Sequence, residues 1–339
     1  MGKIRSFNLS VVTVCMVITL AGCGDSQVDS VDSNAGDNYS GSYPIRSVAT
    51  VGMVADIVRN VGGEHVAVEQ LMGSGVDPHL YRTTRDDVQK IISSDIVFYS
   101  GLMLEGKMGD TLIKVSRNKP VYAVTEEIDP DALLEPAEFQ GHYDPHVWMD
   151  VAVWIQCVDA VTSALSSFDP EHADQYRTNA GPYRDKLKRL HAYGEQTIGS
   201  VPQGSRVLVT SHDAFNYFGR AYGLEVLGVQ GISTESEAGL QRINALVDLI
   251  VEQGVKAVFV ESSVPRKNIE ALVDGAASRG HVIGIGGELF SDAMGENGTY
   301  EGTYEGMLDH NITVVSRALG GETPKNGLNG KLAESDDHE

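Results

Sequence analysis

Three histidines and one aspartate stand out in this 339-residue chain by their settings. His79 sits in Gly75-Val76-Asp77-Pro78-His79-Leu80-Tyr81 and His146 in His142-Tyr143-Asp144-Pro145-His146-Val147-Trp148, so the tripeptide Asp-Pro-His occurs in both segments. His212 follows the β-rich run RVLVTS, and Asp292 follows HVIGIGG in Glu288-Leu289-Phe290-Ser291-Asp292. Three neutral imidazoles and one carboxylate suit a first-row divalent cation: the nitrogens match Zn²⁺ and its neighbours, and the carboxylate supplies compensating charge. In each Asp-Pro-His the proline stiffens the loop ahead of the donor. The aspartate stands where it can hold an imidazole or a backbone amide from behind. The four residues lie on four separate segments, without the local signature of HExxH or paired CxxC. Each histidine taken singly reads more readily as a structural or solvated residue than as a ligand, and the duplicated Asp-Pro-His is what raises His79 and His146 together.

An alternating α/β fold is what would bring such segments together. SVATVGM, VAVEQLM, DIVFYSG and residues 120–124 read as strands in the first half, and RVLVTS, LEVLGV, AVFVES and HVIGIGG in the second. Helical patterns lie between them at residues 54–61, 86–92, 239–253 and 266–279. This alternation predicts an α/β protein of two lobes, residues 47–168 and 200–320, each with a parallel β-sheet flanked by helices. All four donors fall at or beyond the carboxyl ends of strands, the edge where open α/β sheets bind ligands, two from each lobe. Residues 169–199 are expected to form one long linker helix. Asp169 is placed as its cap, Pro170 in its first turn, and Tyr176, Tyr183, Leu187 and Leu190 at helical spacing. Gly181-Pro182 should kink or break it. An ion held between the lobes would leave when His79 and His146 part from His212 and Asp292.

GVDPHLY, YDPHVWMDV, TSHDAFNYFGRAYGLEV, ESSVPRKNIEALVDGAASRG and GGELFSDAMG, in that order, resemble the zinc/manganese-binding solute receptors of bacterial ABC importers. The resemblance runs from about residue 46 to 320. It implies a lipid-anchored receptor with two lobes, a long linker helix and one metal ion in the cleft, delivered to the importer's permease subunit. Zinc and manganese are the implied cargo, with iron compatible with the same donors, and a monomer is expected. The family's first two histidine ligands fall on His79 and His146. Its third, His or Glu, falls on His212, and its aspartate on Asp292. Many zinc-specific members carry a His-rich loop before the second Asp-Pro-His, whereas residues 127–141 here contain no histidine. Manganese-specific members tend to have Glu where His212 stands, so the resemblance leaves the two metals open.

The chain holds 26 Lys plus Arg against 47 Asp plus Glu, a formal charge of −21, which disfavours nucleic acid as a partner. Lys3 and Arg5 precede an apolar run at residues 9–20, shorter than the ~20 residues that span a bilayer. Leu20-Ala21-Gly22-Cys23 then resembles the lipobox of bacterial lipoproteins. Residues 1–22 read as a signal peptide, Cys23 as the lipidated first residue, residues 23–46 as a flexible tether and residues 321–339 as a disordered acidic tail. Processing would remove Lys3 and Arg5 and take the formal charge from −21 to −23. Cys157, in an apolar helical pattern, reads as buried and inert.

Other residues have plainer readings. His142 is expected at the rim, and His65, His172, His191, His281, His310 and His338 as non-ligands. Trp148 and Trp154 should be core. Glu235 and Glu237 should belong to the capping region of the helix near Gly239. There is no P-loop or GxSxG, and Gly284-Ile285-Gly286-Gly287 is too short for a dinucleotide fingerprint. A metal-dependent hydrolase is the alternative function, with Asp292 or Glu235 as its base. A surface adhesin would be an additional role.

Overall fold

The computed structural model describes residues 39–139 and 141–333; Cys23, the signal segment and His338 lie outside them. The first half runs β1 (Ile45–Ala49), α1 (Gly52–Gly62), β2 (Val66–Gln70), α2 (Arg85–Ser93), β3 (Ile96–Tyr99), α3 (Gly109–Ser116), β4 (Val121–Ala123) and α4 (Val151–Phe168). After α5 (Ala173–Gly199) come β5 (Val207–Thr210), α6 (Asn216–Tyr222), β6 (Glu225–Gly228), α7 (Leu240–Gln253), β7 (Ala257–Glu261), α8 (Lys267–Ser278), β8 (Gly284–Leu289) and α9 (Tyr304–Ala318). The first four strands form one parallel sheet in the order β2-β1-β3-β4. In the second half β5 pairs with β6 and β7 with β8, again in parallel. Parallel strands need covering on both faces, which is why β3 and β7 are nearly continuous apolar runs.

Local chemistry sets the helix ends. Thr84 and Asp87 form a reciprocal capping box at α2, Asp150 accepts from the Ala152 and Val153 amides at α4, and Thr303 accepts from the Gly306 amide at α9. The left-handed turns that end α6 and α7 fall on Gly223 and Gly254 (φ 75° and 66°), where a side chain would be strained.

Several expectations are corrected. The α5 helix is continuous across Pro182. The proline is exposed, so the Thr178 carbonyl that it leaves without a helical donor can face water, while Tyr176, Ala180, Tyr183, Leu187 and Leu190 keep the opposite face packed. Asp169 does not cap α5. A 3-10 turn, Pro170–His172, comes first, and the Asp169 carboxylate accepts from the Tyr43 and Tyr176 hydroxyls (2.8 and 2.6 Å) and contacts His172 Nδ1 (2.9 Å). The tether is shorter than residues 23–46: the Tyr39 amide donates to the Phe168 carbonyl (2.9 Å), and Ile45 is fully buried at the start of β1. Nor are residues 321–333 part of a disordered tail. The Leu328 amide donates to Asp309 Oδ1 (2.8 Å), and Leu332 is buried.

One apolar core runs through both halves. It starts at Ile45 and Val48 under the first sheet, continues through Trp148, Trp154 and Leu187, and reaches Phe218, Phe259 and Met307. A second cluster, including Val209, Leu246, Val258 and Leu272, lies in the second half. Trp148, in the 3-10 turn Val147–Met149, and Trp154, on α4, are fully buried, as is Cys157. Burial pushes the Cys157 thiol pKa up.

Candidate metal centre

The carboxyl ends of the strands bring His79, His146, His212 and Asp292 to one point. One donor atom from each lies within 4.8 Å of the others, and all four side chains are buried. His79 comes from the loop after β2, His146 from the turn before α4, His212 from just after β5 and Asp292 from just after β8. His79 Nε2 and His146 Nε2 are 3.3 Å apart; Asp292 Oδ1 is 3.3 Å from His146 Nε2, and Asp292 Oδ2 is 3.2 Å from His212 Nε2. Ligand atoms about 2.0–2.2 Å from a tetrahedral metal lie roughly 3.3–3.5 Å from one another, so these spacings are those of a coordination shell. His212 Nε2 and both Asp292 oxygens have no hydrogen-bond partner. Buried polar atoms are rarely left so, and here the orphaned atoms converge.

Carboxylates hold these histidines from behind. Asp77 Oδ1 accepts from the His79 and Leu80 amides (2.8 and 3.4 Å). Asp144 Oδ1 meets both the His146 amide and its Nδ1 (3.0 and 2.7 Å), so the repeated Asp-Pro-His places its aspartate similarly each time. Glu261, the last residue of β7, does the same for His212: Oε1 accepts from the amide (2.9 Å) and Oε2 lies 2.5 Å from Nδ1. A proton kept on Nδ1 by its carboxylate leaves the Nε2 lone pair free for a cation. Sequence reasoning missed Glu261, because a carboxylate ending a strand in AVFVES carries no local mark of a ligand's support.

Burial dominates at His79 and lowers its pKa to about 3. Burial would lower His146 as well, but Asp144 and Asp292 outweigh it and raise the pKa to about 9. His212 is likewise raised despite burial, by Asp292 and Glu261. Asp292 is lowered by His212 and His146 against a burial effect of opposite sign. The carboxylates of Asp144, Glu261 and Asp292 therefore demand positive charge at this point. Protons on His146 and His212, or one divalent ion in their place, supply the same amount.

Other sequence readings resolve simply. His142 is exposed against the Phe139 ring. Glu235 and Glu237 do not cap α7, whose N-cap is Gly239 without a side-chain bond; Glu235 pairs with Lys107 (3.3 Å) and Glu237 with Lys267 (2.9 Å).

Parallel α/β halves converging three imidazoles and a carboxylate on one enclosed point define a metal-binding solute receptor. The chain belongs to the family described as zinc-uptake complex component A, periplasmic, whose model matches residues 48–318. It is 48% identical over 301 residues to the manganese-binding lipoprotein MntA of Bacillus subtilis (strain 168), covering 88% of this chain and 95% of that protein. It is 47% identical over 272 residues to the zinc-binding protein TroA of Treponema pallidum (strain Nichols), covering 80% and 88%. The solved structure of the periplasmic zinc-binding protein TroA from Treponema pallidum matches with a TM-score of 0.79 at 46% identity, covering 82% of this chain and 99% of that one. The metal ABC transporter substrate-binding lipoprotein SloC of Streptococcus mutans is 31% identical over 278 residues, covering 80% and 89%. The chain is thus a substrate-binding receptor that captures a metal for an ABC importer, and not an enzyme.

Proposed function

We propose that His79, His146, His212 and Asp292 are the ligands of one captured Zn²⁺ or Mn²⁺ ion. The convergence of the orphaned His212 Nε2 and Asp292 oxygens with the other two imidazoles carries this reading. Asp292 turns one oxygen toward His146 and the other toward His212. Bound through one oxygen it completes a four-coordinate shell suited to zinc; through both it makes the five-coordinate shell that manganese accepts more readily. At equal supply zinc binds more tightly at such an N/O site, so the supply of each ion decides which is carried. Protein groups fill the shell, as cargo binding requires; a catalytic zinc keeps a position for water.

The ligand set is complete within one chain, which fits a monomeric receptor whose lobes span residues 47–168 and 200–320. The lipobox-like Leu20-Ala21-Gly22-Cys23 favours export and anchoring to the membrane by a lipid on Cys23, with a permease subunit as the partner that receives the ion. Calorimetric titration of the chelator-stripped protein with Zn²⁺ and Mn²⁺, beside His212→Ala, tests the site: one tight site lost in the variant is expected, and binding unchanged in His212→Ala overturns the ligand set. Mass spectrometry of the mature N-terminus and membrane fractionation of Cys23→Ala test the anchor.

A further inference from the structure

The side-chain ties across the centre do not follow the division of the chain into halves. His146 belongs by sequence to the first half, yet its surroundings are fastened to the second. Asn216 Nδ2 on α6 donates to Asp144 Oδ2 (3.1 Å), and the Tyr217 hydroxyl donates to the Asp144 carbonyl (3.0 Å). Trp148 Nε1 donates to the Ser291 carbonyl (2.9 Å), one residue from Asp292, and the Tyr304 hydroxyl donates to the Trp148 carbonyl (2.7 Å). These bonds are buried or nearly so, and they lie on the core that runs through both halves. His146, His212 and Asp292 thus sit on one fastened platform.

His79 is held differently. Its loop, residues 71–84, is tied across the cleft by the Thr234 hydroxyl, which donates to Asp77 Oδ2 (2.6 Å). The other oxygen of the same carboxylate accepts from the His79 amide (2.8 Å). One carboxylate therefore links residues 229–239, between β6 and α7, directly to the backbone of a ligand. Asp77 meets His79 at the amide only, whereas Asp144 and Glu261 also meet the rings of His146 and His212. The neighbouring Lys107–Glu235 pair (3.3 Å) is partly exposed and adds little.

We propose that His79 is the ligand that releases the ion and that Thr234 is the positioning residue that holds it closed through Asp77, a reading that rests on the four-ligand site above. Release then opens one position of the shell while the platform stays assembled, instead of parting His79 and His146 together from the other two. Without the Thr234 hydroxyl, the part-buried Asp77 Oδ2 loses its tie to residues 229–239 and turns to water, which frees the loop to move outward and carry His79 with it.

The test is zinc release from the full-length chain in detergent, followed by stopped flow with excess chelator. Thr234→Val, which keeps the shape and removes the hydroxyl, is expected to release zinc about tenfold faster, the factor set by one hydrogen bond to a charged acceptor. Thr234→Ser is expected to restore the slow rate. In a His79→Ala background Thr234→Val should add nothing, since both act on the same contact. Tyr304→Phe, which cuts a tie of the platform, should lower the melting temperature and leave release within about twofold of wild type. Release from Thr234→Val at the wild-type rate, an additive effect in His79→Ala, or release from Tyr304→Phe as fast as from Thr234→Val each overturns the proposal. Failure of the four-ligand reading looks different: His212→Ala would then hold zinc as well as wild type does.

Discussion

Glu261→Gln isolates the support behind one ligand. The carboxylate serves two donors of the same residue, the His212 amide at 2.9 Å and the ring Nδ1 at 2.5 Å, both in a fully buried setting. Glutamine has nearly the same shape but one acceptor oxygen. If that oxygen keeps the amide, the new NH₂ group faces Nδ1 and forces it to accept, moving the ring proton to Nε2, the atom that would bind the metal. If the oxygen keeps Nδ1, the NH₂ group confronts the buried amide donor. Either arrangement loses one hydrogen bond to a charged group, about 1.5–3 kcal/mol, matching the roughly 10–100-fold loss seen when a ligand's support is removed. The expected result is a Zn²⁺ dissociation constant raised about 10- to 100-fold near pH 8, with stoichiometry unchanged. Competition against a fluorescent chelator measures it, and circular dichroism of the stripped protein checks the fold. An affinity within about threefold of wild type in a folded variant would show that His212 needs no such support, and the reasoning fails.

Four further outcomes are expected. With His146 raised to about 9 and His212 raised as well, both are protonated in the metal-free protein at neutral pH, so the ion must displace protons; affinity should keep rising from pH 7 to about 9, and calorimetry in buffers of different ionisation enthalpy should register proton release, whereas a plateau above pH 7 refutes it. Because the folded-state value of His146 lies above the ordinary 6.5, the stability it lends the metal-free protein is complete below pH 6.5 and lost as pH rises through about 9, so the melting temperature should fall over that window. Free Zn²⁺ at a thousand times its dissociation constant should stabilise the protein by about 4 kcal/mol, raising the melting temperature by roughly 6 °C, and Asp292→Ala should abolish the gain. Pro182→Ala restores an amide donor to the exposed side of α5 and should stabilise by about 1–3 kcal/mol, read as a higher urea midpoint at unchanged slope; a lower midpoint would mean that the proline's stiffening of the unfolded chain outweighs the missing bond.

The strand–helix alternation was legible because parallel strands and their covering helices leave periodic apolar patterns within each segment, as in β3 and β7. The errors fell where local pattern competes with packing. Pro182 reads as a breaker until α5 is seen to turn it to solvent, and residues 321–333 read as a tail until Asp309 is seen to bind Leu328. Glu235 and Glu237 read as cap residues, yet the structure spends them on Lys107 and Lys267.

At the centre itself, residue types and the doubled Asp-Pro-His made the four residues candidate donors, and the family resemblance joined them into one set; the structure brings the four together. An aspartate two residues before a histidine can reach that histidine's amide in any fold, so this support was readable from sequence. Glu261 lies 49 residues from His212, Asn216 lies 72 from Asp144, and Thr234 lies 157 from Asp77. Contacts at such separations depend on how strands and helices register against one another across the whole core, which no local pattern encodes. The sequence therefore determined what could bind a metal here. Only the tertiary structure decided which ligands stand on a common platform and which is tied to the second half through the Asp77 carboxylate and Thr234.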